Sequence, residues 1–186
     1  NLINKKINIK NYFLIGCISR FADGKGQENL IDAFKSLIET QNNNNYLLIF
    51  FGDGELENKC KKIAKKNNLL NHIIFLGYIK NAINYISSLD LIILPSSIDV
   101  CSNSILEAFL VKKPVICLNA GGNAELIKND FNGFTYNRQI ELIEKIQILK
   151  NNDDKLKNFS NEGFNVLKEK FNIKVNIKNI EKILNY

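Results

Sequence analysis

Five runs of four to eight residues, at 12–19, 46–51, 73–76, 91–94 and 115–118, are apolar almost throughout, and each is followed by Gly, Pro or polar turn residues. A sixth, shorter run at 133–136 reads as an edge strand. Helical segments are expected between the runs, at 28–40, 55–67, 82–88, 102 or 103 to 111, and 124–127. Beyond the last run the sequence reads as helix alone, at 140–150, 154–170 and 174–185. In the helix at 28–40, Leu30, Ile31, Phe34, Leu37 and Ile38 recur at three- and four-residue spacing, the period of one helical face. Strands without polar alternation are covered on both faces, and strands alternating with helices pair in parallel. The chain is therefore predicted to be α/β: a Rossmann-like, doubly wound parallel sheet of about six strands with helices on both faces. Such a sheet places its ligand crevice at the carboxyl ends of the strands.

Composition narrows the class. At 186 residues, 45% hydrophobic and 24% charged, the chain suits a single globular domain with a sizeable core. It has no run of about 20 apolar residues that could span a bilayer. Met is absent, position 1 included, so the sequence is expected to be an excised domain with a linker-like lead-in at 1–11. The net charge is +6, and all basic residues except Arg20 and Arg138 are Lys. A basic balance admits a non-enzymatic module that binds nucleic acid or another polyanion. Here, though, the lysines are scattered and the aromatics sit inside apolar segments, so the excess is read as solvated surface. An Arg in so Lys-rich a chain is expected to serve a chemical purpose. Cys17, Cys60, Cys101 and Cys117 form no C-x-x-C pair and are read as reduced thiols in the cytoplasm. His72, the single histidine, is read as a turn or edge residue.

The common phosphate fingerprints fail. The P-loop pattern would need Gly at Ser19 and a hydroxyl at Gly26, and neither Gly24-x-Gly26 nor Gly52-x-Gly54 is completed by a third Gly. What the strand exits do carry is two cations, Arg20 and Lys25, after the first strand, and two acids, Asp99 and Glu107, after the fourth. A guanidinium and an ammonium suit a diphosphate, and a carboxylate accepts hydrogen bonds from a ribose or sugar hydroxyl. The helix start at Asn103, Ser104 and Ile105 adds backbone N–H groups and a positive dipole end. Together these features describe a nucleotide-sugar site.

Several segments in order carry a resemblance. They are Ile15-Gly16-Cys17-Ile18-Ser19-Arg20-Phe21 through Lys25-Gly26 to Leu30-Ile31-Asp32-Ala33-Phe34, and Leu48-Ile49-Phe50-Phe51-Gly52-Asp53-Gly54. Phe75-Leu76-Gly77, Leu94-Pro95-Ser96, Asp99 to Glu107-Ala108, Pro114-Val115-Ile116 and Gly121-Gly122-Asn123-Ala124-Glu125-Leu126-Ile127 follow. Over about residues 12–136 the chain resembles the C-terminal donor-binding domain of the retaining GT-B glycosyltransferases of glycosyltransferase family 4. The resemblance implies that Arg20 and Lys25 hold the donor diphosphate, Glu107 the ribose and Asp99 the donor sugar. It further implies phosphate contacts from the backbone around Asn103, Ser104 and Ile105, a base near Gly77 and Tyr78, and donor contacts at Gly16, Gly52 and Asp53.

By the same resemblance the activity is retaining transfer of a hexose from a nucleotide-diphosphate sugar, UDP-sugar favoured, to a glycan or lipid-linked acceptor. The setting is bacterial surface polysaccharide or glycoconjugate synthesis at the cytoplasmic face of the inner membrane. No cofactor or metal is expected. An N-terminal acceptor-binding domain is the expected partner, with 172–186 packing on it, and the domain alone is expected to transfer sugar poorly. Other GT-B enzymes, such as a nucleotide-sugar epimerase or a sugar phosphorylase, are the alternatives. Two positions depart from the family pattern: Asp99 stands for the usual Glu, and Lys112 for a Gly at a helix end.

Overall fold

The computed structural model describes residues 11–40 and 45–171. The expected helix at 174–185 and all but the last residue of the lead-in lie outside them. Strands β1 (Phe13–Ile18), β2 (Tyr46–Phe51), β3 (Ile73–Phe75), β4 (Leu91–Leu94), β5 (Val115–Leu118) and β6 (Phe134–Tyr136) form one parallel sheet in the order β3-β2-β1-β4-β5-β6. The helices are α1 (Gln27–Thr40), α2 (Glu57–Lys66), α3 (Ile83–Ile86), α4 (Asn103–Leu110), α5 (Asn123–Leu126), α6 (Gln139–Lys150) and α7 (Asp153–Lys170). This is the doubly wound α/β fold expected from the strand pattern. The strand order reverses between β1 and β4, where a crevice opens at the carboxyl ends.

Successive residues of each strand feed opposite faces. Ile15, Cys17, Leu48, Phe50, Leu91 and Ile93 pack with Leu30, Phe34 and Ile146 of α1 and α6. Leu47, Ile49, Ile92 and Leu94 pack with Ile105, Ala108 and Phe109 of α4. Helix α7 reaches both layers: Phe159 meets Phe134 edge-on at 4.9 Å, and Val166 and Leu167 lie against the second cluster.

Element ends differ from expectation for identifiable reasons. Helix α2 starts at Glu57 rather than 55 because the preceding residues bond to the buried Phe21: the Phe21 N–H donates to the Asp53 carbonyl, and the Leu56 N–H donates to the Phe21 carbonyl. Ser102 occupies the N-cap of α4, but its side chain makes no capping hydrogen bond. Cys17, Cys60 and Cys117 are buried, and burial pushes their thiols up to about 12, 11 and 12, while Cys101 is exposed; all four are free. His72 sits beside β3 with Nδ1 at 3.3 Å from the Tyr46 carbonyl oxygen.

Candidate functional site

A cleft of about 620 Å³ opens at the carboxyl ends of β1 and β2 and is closed on one side by the start of α4. Seven residues singled out in the sequence line it: Arg20, Gly52, Asp53, Tyr78, Asn103, Ser104 and Glu107. Arg20 comes directly off β1 because Phe21 dives into the core and locks the chain on the Phe50 and Phe75 rings. Tyr78 is 72% exposed, which leaves a ring face available at the cleft.

Helix α4 is tied to the sheet by Ser104, whose Oγ donates to the Ile18 carbonyl at 2.8 Å. The N–H groups of Asn103 and Ser104 have no hydrogen-bond partner among the described residues, so the positive end of α4 meets the cleft with two free donors. Ile105 does not join them: its N–H donates to Ser102 at 3.0 Å and its side chain is in the core. One turn further along, Glu107 lines the same cleft, and partial desolvation by the cleft walls raises its carboxyl above the ordinary carboxylate range.

Lys25 and Asp99 do not line this cleft. They form an ion pair with each other, joining the loop after β1 to the loop after β4. Those loops are also stitched by the Ser97 N–H on the Gly24 carbonyl at 2.9 Å, and the Gly122 N–H on the Asp99 carbonyl at 2.8 Å brings in the loop after β5. Gly26 makes the approach possible: with φ at 76°, its Cα faces Pro95, where a Cβ would collide with the carbonyl oxygen. Gly16 belongs to the packing rather than to the cleft, because its missing side chain is replaced by Leu89 and a Cβ there would collide with it. Gly77 also stands outside the lining; its φ of 69° turns the chain from β3 toward Tyr78.

Gln27 escaped the sequence reading, which began the helix one residue later. It is 2% exposed, and its Nε2 donates to Ser19 Oγ at 2.8 Å and to the Arg20 carbonyl at 2.6 Å. The available signal was a polar residue at the join between the Lys25-Gly26 turn and an amphipathic helix.

Known proteins with this sequence pattern decide the family. The family described as "Glycosyl transferases group 1" matches residues 1–166. The chain belongs to that family. Among curated relatives, Protein CapJ of Staphylococcus aureus is 36% identical over 132 residues, covering 69% of this chain and 33% of CapJ. An Escherichia coli UDP-Gal:alpha-D-GlcNAc-diphosphoundecaprenol alpha-1,3-galactosyltransferase is 29% identical over 176 residues, covering 89% of this chain and 45% of that enzyme. The chain thus spans between a third and a half of the length of these relatives. A similar fold occurs in Anabaena HepE, solved in complex with UDP and glucose, at 23% identity and a TM-score of 0.85 over 99% of this chain and 51% of HepE. Among the described residues of this family member, no three His, Cys, Asp or Glu side chains converge as a metal site, and no helix is long and apolar enough to cross a membrane.

Proposed function

We propose that the chain is the donor-binding half of a retaining glycosyltransferase that takes a hexose from a nucleotide-diphosphate sugar, UDP-sugar by preference. The observation that carries the proposal is the convergence on one cleft of Arg20, the two free N–H groups at the start of α4, and Glu107. In this reading Arg20 and the helix end hold the diphosphate, Glu107 accepts from the ribose diol, and Tyr78 lies by the base. Lys25, which lies outside the cleft and is paired with Asp99, joins the same diphosphate by exchanging the Asp99 carboxylate for a phosphate oxygen when the donor binds. When the sugar C1–O bond breaks, negative charge collects on the departing β-phosphate, and fixed cations and N–H dipoles lower the barrier because they are oriented before the charge appears. The acceptor oxygen bonds to C1 on the face the phosphate leaves, and its proton passes to the phosphate oxygen.

The relatives support the substrate class. The Escherichia coli enzyme is named for UDP-Gal and an α-linked product, a Staphylococcus aureus relative is a poly(ribitol-phosphate) alpha-N-acetylglucosaminyltransferase, and HepE was crystallised with UDP and glucose. A glycan or lipid-linked acceptor of a bacterial surface polymer is the corresponding acceptor class, handled at the cytoplasmic face of the membrane. A partner domain completes the acceptor side of the cleft, so this half alone binds donor and transfers little.

Calorimetric titration with UDP, GDP and ADP tests the assignment. UDP is expected to bind tightest, and Lys25→Ala is expected to weaken it by roughly 10- to 100-fold, the value of a charge-assisted contact of about 1.5–3 kcal/mol. Equal binding of every polyanion, unchanged by Lys25→Ala and abolished by salt, would instead mark a non-enzymatic basic module.

A further inference from the structure

Among the described residues Arg20 is the one cation that lines the cleft, and its neighbours in sequence are held differently from Arg20 itself. The Ser19 N–H donates to Phe51 at 3.1 Å and the Phe21 N–H donates to Asp53 at 2.8 Å, so both are fastened to the end of β2. The carbonyl of Arg20 instead accepts from the Ala22 N–H at 3.1 Å, within its own turn, and from the Gln27 side chain. Gln27 is the link from that carbonyl to a regular element, since it opens α1, whose apolar face is buried against the sheet. Both amide hydrogens of Gln27 are spent on this junction, the second on Ser19 Oγ. A buried amide that donates to the Ser19 side chain and to the Arg20 carbonyl ties the chain on both sides of the Arg20 Cα to the start of α1.

We propose that Gln27 is a positioning residue for Arg20: its amide sets the direction in which the guanidinium enters the cleft, and so governs affinity for the diphosphate without touching it. The inference rests on the reading of the cleft as a nucleotide-diphosphate site. Gln27→Glu keeps the shape of the side chain but replaces the two-proton donor with a carboxylate that repels the Arg20 carbonyl. The effect should be confined to ligands that carry phosphate, because uridine draws on Glu107 and Tyr78 and not on Arg20.

The test is a double-mutant cycle on the full chain, with UDP and uridine binding measured by calorimetry for wild type, Gln27→Glu, Arg20→Ala and the double variant. Gln27→Glu is expected to weaken UDP by about 10-fold and to leave uridine within about 2-fold, and in the Arg20→Ala background it should change UDP binding by less than about 2-fold. Lowering the pH should restore part of the UDP affinity of Gln27→Glu relative to wild type, since a protonated carboxyl again offers one donor. Equal losses for UDP and uridine, or an undiminished loss in the Arg20→Ala background, would show general loosening of the loop and overturn the proposal. If wild type binds UDP through Arg20 but Gln27→Glu is silent, this inference alone fails; if wild type does not bind UDP, the nucleotide-diphosphate reading fails and takes the inference with it. Should Gln27→Glu not fold, Gln27→Met, neutral and of similar length, carries the same expectations for the cycle.

Discussion

At the scale of single residues, the two arginines show how far composition can be pressed. Arg20 lines the cleft, whereas Arg138 pairs at the surface with Glu141, its Nε at 2.8 Å from the carboxylate. Rarity singled out both, and only position along the fold separates them. Glu107 is the cleft carboxylate whose chemistry depends on pH. Its carboxyl titrates above the ordinary value, so the charged form disappears sooner on acidification than in a free Glu. Uridine, which has no phosphate to titrate, should therefore bind less well as pH falls through that raised value, and Glu107→Gln should bind roughly 10- to 100-fold more weakly with no such dependence. Stability moves the other way. A carboxyl raised on folding contributes most below its unfolded pKa and loses that contribution as pH rises through the folded one, so Glu107→Gln should flatten this part of the stability profile in thermal melts.

At the scale of elements, turns and helix ends carry the sequence's least conventional choices. Lys112 follows α4 with φ at 53°, and the helix closes with the Lys112 N–H on Phe109 at 3.0 Å and the Lys113 N–H on Ala108 at 2.8 Å. That is a Schellman ending, a place where Gly is preferred because a Cβ in the left-handed region costs about 1–2 kcal/mol. Lys112 recovers part of this by placing Nζ 5.0 Å from the centre of the Phe164 ring. Lys112→Gly should accordingly raise stability by about 0.5–1 kcal/mol, seen as a higher melting temperature with unchanged nucleotide binding. Gly26 is the opposite case. It joins a left-handed φ to a close approach on Pro95, so Gly26→Ala should cost about 2 kcal/mol or more and weaken nucleotide binding by separating the loops that Lys25 and Asp99 bridge, both measurable on one preparation.

At the scale of the whole molecule, α7 straps the β6 edge of the sheet and joins its two cores. Phe159 is its anchor, 1% exposed against Phe134, and Gly163 lets the helix close on Phe109 of α4. Phe159→Ala should lower unfolding stability by about 3–5 kcal/mol in denaturant titration, the usual effect of emptying a buried aromatic site. The layered sheet, the strand exits and the cluster of chemistry at those exits were legible from the chain alone, because apolar period and turn residues are local properties that dictate which faces must be buried. The partnerships were not. Lys25 meets Asp99 across 74 residues, Gln27 reaches back to Ser19 and Arg20, and Ile105 gives its N–H to Ser102 while Asn103 and Ser104 keep theirs. These contacts depend on loop paths and on how β1 and β4 are set side by side, which long-range packing decides and no local pattern encodes.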